Sequence, residues 1–232
     1  NGLEIKEFEK QITFFENKFN FISGEEIIDL IYENKSIPKN SIILTFDDGF
    51  NDHFSNVFPI LKKKQIQGLF FPSLKPIIEK KVLDVHKIHF ILEKNKNRKE
   101  LLIIIQQLIQ SKKKKFSLKD PEKYLDFPNF SKYDNRETAL IKKILQINLP
   151  EKARNEITDD LFKKIIHDEK DFAEKLYLSL DQILEMQESG MFFGSHGYKH
   201  EWLSNLTDNE LNNELIDSLK ILKKIKQDKK IM

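Results

Sequence analysis

Two short segments of this sequence carry side chains that can bind a metal ion. The segment Thr-Phe-Asp-Asp-Gly contains Asp47 and Asp48, and the segment Gly-Ser-His-Gly-Tyr-Lys-His contains His196 and His200. Two imidazoles and one carboxylate that leave a coordination position open are a typical ligand set of hydrolytic metal sites. Each segment alone is weak support, because Asp-Asp-Gly turns and His-x-x-x-His pairs also occur without any function.

The two adjacent carboxylates need not have the same role. Side chains of neighbouring residues in a strand point in opposite directions, so one carboxylate can bind a cation while the other faces a substrate. Burying both of them is unfavourable unless a positive charge lies beside them. The sequence therefore predicts a cation next to Asp47 and Asp48.

Both segments follow apolar runs that are typical of buried strands. Three such runs occupy residues 41–46, 67–71 and 191–194, and a helical segment at 54–64 joins the first two. This alternation predicts an α/β fold with parallel strands. In such folds the active site lies at the C-terminal ends of the strands, where both segments are found.

Capping boxes mark the expected starts of three helices, at residues 23–26, 179–182 and 207–210. In each box a hydroxyl can accept a backbone N–H, and a Glu or Gln side chain can bond back to the cap. The apolar residues of the helix after the third box are Leu211, Leu215, Leu219 and Leu222.

The middle of the chain is lysine-rich and mostly helical in its apolar period. An irregular stretch with Pro and Phe interrupts it at 116–130. We expect three regions: a first part of the main fold at 1–74, a helical insertion at 75–178 and a continuation of the main fold at 179–232. The helical runs of the insertion are 77–92, 101–109, 138–147 and 153–166.

The composition excludes several classes of function. With 39 Lys and Arg against 37 Asp and Glu, the net charge of +2 gives no general attraction to nucleic acid, and the lysine runs lack interleaved aromatic residues. The absence of cysteine excludes thiolate ligands, cysteine nucleophiles and disulfides. No apolar run is long enough to span a membrane.

The two segments, taken in this order, resemble the polysaccharide deacetylases, the family that includes chitin and peptidoglycan deacetylases. Thr-Phe-Asp-Asp-Gly followed by Ser-His-x-x-x-His looks like the first two signature motifs of that family. The resemblance covers roughly residues 21–72 and 178–222, about half of the chain. It implies a distorted (β/α) barrel.

Carried over residue by residue, the resemblance assigns a role to each of the four candidates. Asp47 is implied to be the catalytic base that takes a proton from the water bound to the metal, and Asp48, His196 and His200 are implied to be the metal ligands. We expect one divalent ion, zinc first, although cobalt, nickel or iron suit the same ligands. The implied substrate is an acetylated oligo- or polysaccharide.

The later motifs of the family, including the histidine that acts as general acid, do not appear after His200. We therefore expect the chain to be a fragment of a longer protein and its barrel to be incomplete. His53, His86 and His89 are the other candidate proton donors. We expect His86 and His89 to be ordinary, partly exposed helix residues and Trp202 to be a packing residue beside the site.

The leading hypothesis is a metal-dependent hydrolase that removes acetyl groups from an N-acetylated sugar of a bacterial-type surface polysaccharide, with O-acetylated sugars left open. The alternative is a catalytically weakened member that binds carbohydrate or a partner protein. A hydrolase of another amide or ester is a third reading. The resemblance implies the cell envelope, and the cytoplasm and the oligomeric state are left open.

Overall fold

The computed structural model describes residues 2–125 and 133–227, which form two compact units. The first unit contains the described residues up to Lys81 and those from Ala173 onward, and the second is Val82–Phe172. The second unit lies within the limits of the expected insertion, 75–178. That this segment interrupts a barrel stays a prediction, and part of the irregular stretch at 116–130 lies outside the described residues.

The strands of the described residues form two parallel sheets. In chain order they are β1 (Asn20–Phe21), β2 (Ser41–Ile42), β3 (Leu44–Asp47), β4 (Gly68–Phe71) and β5 (Phe192–Phe193). Strands β1 and β2 pair with each other, and β3, β4 and β5 form a second sheet in that order. The prediction of an α/β fold with parallel strands is confirmed. The described strands close no barrel.

Helices make up most of the described chain. In chain order they are α1 (Ile5–Glu16), α2 (Gly24–Tyr32), α3 (Phe58–Lys64), α4 (Leu74–Glu79), α5 (Asp84–Lys94), α6 (Arg98–Phe116), α7 (Arg136–Lys143), α8 (Glu151–Lys163), α9 (Glu169–Leu176), α10 (Leu180–Glu188) and α11 (Asp208–Gln227). Short π-helical segments occupy His53–Val57 and Ile144–Asn148, and 3₁₀ turns occupy Pro121–Tyr124 and Leu203–Asn205. None of the helices described is both long and apolar enough to span a membrane.

The capping signals locate three helix starts correctly. At α10 the Ser179 hydroxyl accepts from the Gln182 N–H and the Gln182 side chain accepts from the Ser179 N–H, which is the complete box. The same reciprocal pair joins Thr207 and Glu210 before α11. At α2 the hydroxyl of Ser23 accepts from the backbone N–H three residues later.

The core of the larger sheet is a stack of phenylalanine rings that crosses all three strands. Phe46, Phe70 and Phe193 are in register with one another on β3, β4 and β5. The Phe70 ring is fully buried and stacks on Phe46 at 4.9 Å and on Phe193 at 5.5 Å between centroids. Such cross-strand aromatic pairs fix the register of a sheet as well as bury area.

The second unit has its own core, in which a lysine is buried. The Lys87 ammonium lies 2.5 Å from Asp159, 3.1 Å from Glu169 and 3.5 Å from Asp84. Burial lowers the pKa of Lys87, but the hydrogen bond to Asp159 and the three nearby carboxylates outweigh it and raise the pKa. The lysine is therefore a charged structural residue of this unit.

We expect Phe70→Ala to destabilise the first unit by about 3–5 kcal/mol, because it removes a large buried ring whose space cannot be refilled. The matched control is Phe14→Ala, at a ring on α1 that is 56% exposed, with an expected effect below about 0.5 kcal/mol. The measurement is urea unfolding followed by fluorescence of Trp202, the single tryptophan, which lies in the first unit. Equal midpoints for both variants would show that the stack is not central to this unit.

Candidate metal centre

The position of Asp48 is set by a turn directly after β3. Its backbone N–H donates to the Phe71 carbonyl at 3.0 Å, which extends the pairing with β4 by one residue. Asp48 and Gly49 both have left-handed backbone conformations, with φ of +70° and +74°. A Cβ on Gly49 would lie 2.7 Å from the Cβ of Pro72, so only glycine fits at this turn.

The two histidines follow β5 on the opposite side of β4. The Gly194 N–H donates to the Phe70 carbonyl at 3.0 Å, and the His196 N–H points to the Pro72 carbonyl at 3.4 Å. A Cβ on Gly194 would lie 2.4 Å from the Phe71 ring. The small residue therefore lets the histidine segment approach β4 closely.

Asp48, His196 and His200 converge at this end of the sheet. The Asp48 Oδ1 atom lies 3.5 Å from His196 Nε2 and 3.4 Å from His200 Nε2, and the three candidate ligand atoms all lie within 4.8 Å of one another. Zinc held tetrahedrally at about 2.1 Å places its ligand atoms about 3.4 Å apart. The spacing and the chemistry of these residues fit a site for a divalent metal ion such as zinc, and all three side chains are partly exposed.

The charge of Asp48 affects His200 directly. A hydrogen bond to Asp48 raises the pKa of His200 above its ordinary value of 6.5, burial opposes this, and the charges of Asp48 and Glu214 add to the rise. In the folded chain this imidazole therefore prefers a positive charge beside Asp48. A metal cation bound between Asp48 and His200 would place positive charge beside the Asp48 carboxylate in the same way.

Asp47 lies apart from this cluster of three. It is the last residue of β3 and is exposed, on the face of the strand opposite to Phe46. Asp48, in contrast, lies in the left-handed turn that follows the strand, and only Asp48 of the two belongs to the cluster.

His53 is half-buried close to Asp48 and packs against Phe46, Phe50 and Phe70. Burial lowers its pKa to about 4, against the opposing charges of Asp48, Asp52 and Asp47. A histidine with this pKa is neutral at neutral pH. It therefore does not supply a proton there as a general acid does.

Two other expectations for residues outside the cluster are wrong. His86, expected to be partly exposed, is buried in the second unit, whereas His89 is exposed. Trp202, expected to pack beside the site, has an exposed side chain.

Sequence reasoning also missed Glu214 on α11, a buried carboxylate that accepts from the backbone N–H of His200. No pattern in the sequence marks this residue, because its burial depends on its contact with the loop that ends at His200.

A family model of polysaccharide deacetylases matches residues 34–101 and 158–231, which together exceed half of the chain. The chain therefore belongs to the polysaccharide deacetylase family. The residues between the two matched parts, 102–157, lie in the second unit.

Individual relatives match more weakly. YxkH of Bacillus subtilis (strain 168), assigned by its name to the same family, is 28% identical over 80 residues, which are 33% of this chain and 29% of YxkH. The deacetylase PplD of Streptococcus pyogenes, solved in complex with acetate, is 16% identical with a TM-score of 0.51, over 97% of this chain and 60% of PplD. The deacetylase domain of BpsB from Bordetella bronchiseptica is 14% identical with a TM-score of 0.45, over 96% of this chain and 64% of the BpsB chain. The chain thus spans less than two thirds of the length of these relatives, and PplD shares its fold.

We expect Asp48→Asn to lower the pKa of His200 in the metal-free chain, since the largest cause of the rise is removed while burial remains. A pKa raised on folding means that the Asp48–His200 pair stabilises the fold below pH 6.5. This stabilisation is lost as the pH rises through the folded-state pKa.

The measurement is an NMR titration of the histidine rings. Asp52→Asn is the control, because Asp52 is an exposed carboxylate of the same segment and is not among the groups that raise the pKa of His200. An unchanged His200 titration in Asp48→Asn would show that the two side chains do not interact in solution.

Proposed function

We propose that this chain is the metal-binding part of a deacetylase that removes the acetyl group from an N-acetylated sugar of a surface polysaccharide. The observation that carries the proposal is the convergence of Asp48, His196 and His200 at the C-terminal end of a parallel sheet, in a chain of this family. The three side chains are partly exposed, so solvent and substrate would have access to them.

Asp48, His196 and His200 would hold one divalent ion, most suitably zinc. Such an ion lowers the pKa of water toward neutrality and polarises an acetyl carbonyl oxygen. The imidazole of His200 must give up its proton to ligate, so acid competes with metal at this site.

Asp47 would act as the base. It precedes Asp48 in the sequence and is exposed at the end of β3, and it is not one of the three clustered residues, so its oxygens would not be ligands. A carboxylate in this position can accept the proton of an attacking water and hold it until the sugar amine leaves with it. Removal of the acetyl group then yields acetate and a free amine.

The sheet of β3, β4 and β5 would be one arc of the distorted barrel that the family resemblance implies. The parallel order of its strands and the fold shared with PplD support this. In such an arrangement the strand ends that carry Asp48 and His196 face the mouth of the barrel, where substrates bind.

The metal is tested first. We expect the wild-type chain to bind about one zinc ion, measured by elemental analysis and calorimetry, and His196→Ala, His200→Ala and Asp48→Ala to abolish this binding. The control is His89→Ala, which removes an exposed histidine of the second unit. A wild-type chain that binds no zinc when it is supplied in excess would contradict the proposed centre.

The base is tested separately. We expect Asp47→Asn to keep the zinc but to slow acetate release from N-acetylglucosamine oligomers about 10²–10⁴-fold, because the proton acceptor is lost. Asp52→Asn, a nearby exposed carboxylate, should leave both zinc and rate unchanged. A wild-type chain that holds zinc and releases no acetate from N- or O-acetylated oligomers would instead favour a binding role.

A further inference from the structure

Glu214 is a carboxylate buried beside the loop that ends at His200. The residue lies on α11, is 3% exposed, and its Oε1 atom accepts from the backbone N–H of Lys199 at 2.5 Å and of His200 at 2.9 Å. Burying a carboxylate is unfavourable unless donors satisfy it. Here the donors belong to the loop that ends in a candidate ligand.

The loop is shaped around this carboxylate. Gly197 and His200 both have left-handed backbone conformations, with φ of +80° and +64°. A Cβ on Gly197 would lie 2.8 Å from Glu214 Oε1. Glycine is thus required at this position by the conformation and by the close approach of the carboxylate.

A second side chain of α11 holds the start of the same loop. Ser218, one helical turn after Glu214 and also fully buried, bonds to the hydroxyl of Ser195. Because Ser218 donates its proton to the Leu215 carbonyl at 2.8 Å, Ser195 must be the donor between the two hydroxyls. The Ser195 oxygen then accepts from the Gly197 N–H at 3.0 Å.

We infer that Glu214 is a positioning residue of the metal centre, which fixes the backbone of His200 and adds a second negative charge behind the ligands. This inference rests on the proposed function. Asp48 is the single charged ligand of the set, so a divalent ion would retain one uncompensated positive charge. The buried carboxylate of Glu214, which is hydrogen-bonded to the backbone of His200, would balance that charge.

Three variants separate these contributions. Glu214→Ala removes the acceptor and the charge, Glu214→Gln keeps an acceptor oxygen and removes the charge, and Asp217→Ala removes an exposed carboxylate of the same helix as the control. Two quantities are measured: amide hydrogen exchange of Lys199 and His200 in the metal-free chain, and zinc affinity.

We expect Glu214→Ala to speed exchange of both amides at least about tenfold and to weaken zinc binding about 10–100-fold. In Glu214→Gln we expect slow amide exchange to be retained and zinc affinity to lie between the two extremes. Asp217→Ala should match the wild type in both measurements. In the cobalt-substituted protein, only Glu214→Ala should shift the ligand-field bands, because only there does the His200 backbone lose its hydrogen bond.

The outcomes distinguish this inference from the proposed function. Unchanged amide exchange in Glu214→Ala overturns the positioning role whether or not the chain binds zinc. A wild-type chain without zinc affinity refutes the proposed centre and with it the metal role of Glu214, while the exchange data still report on the loop. If Glu214→Ala does not fold, Glu214→Gln decides, since wild-type zinc affinity in that variant overturns the role of the charge.

Discussion

The central strand β4 holds both halves of the candidate site through its own backbone. Successive carbonyls of a strand point to opposite sides, and here the Phe71 carbonyl accepts from Asp48 while the Phe70 and Pro72 carbonyls face Gly194 and His196. The ring stack through Phe70 fixes which residues lie opposite each other. A shift of one residue in either pairing would turn a ligand to the wrong face.

Much of this arrangement can be predicted from the sequence, because it follows from general rules of sheet geometry and helix capping. Parallel strands end at a common edge, so polar segments directly after two such strands must meet there, as Asp48 and His196 do. The helix starts at Ser179 and Thr207 are predictable for a similar reason, since the capping interactions are local. In each case the determining contacts are either close in sequence or imposed by sheet geometry.

The features that could not be predicted depend on tertiary contacts. The sequence marks Leu215 and Leu219 as apolar residues of α11, yet both are exposed in the structure, whereas Glu214 and Ser218 are buried. The helix expected at 77–92 is interrupted after Glu79, where Lys80 adopts a left-handed conformation without a Gly or Pro to mark it. Strands of two residues, such as β1, are too short to show any period.

The order of the elements along the chain has a consequence for biosynthesis. The loop that ends at His200 precedes α11, yet the backbone N–H groups of Lys199 and His200 donate to Glu214 of that helix. When the ribosome has added both histidines, the helix residues that orient them have therefore not yet been added. Strand β4 is made much earlier than its partner β5, because the whole second unit lies between them in the sequence. The cluster of three can assemble only after nearly all of the described chain has emerged, which makes it a late product of folding.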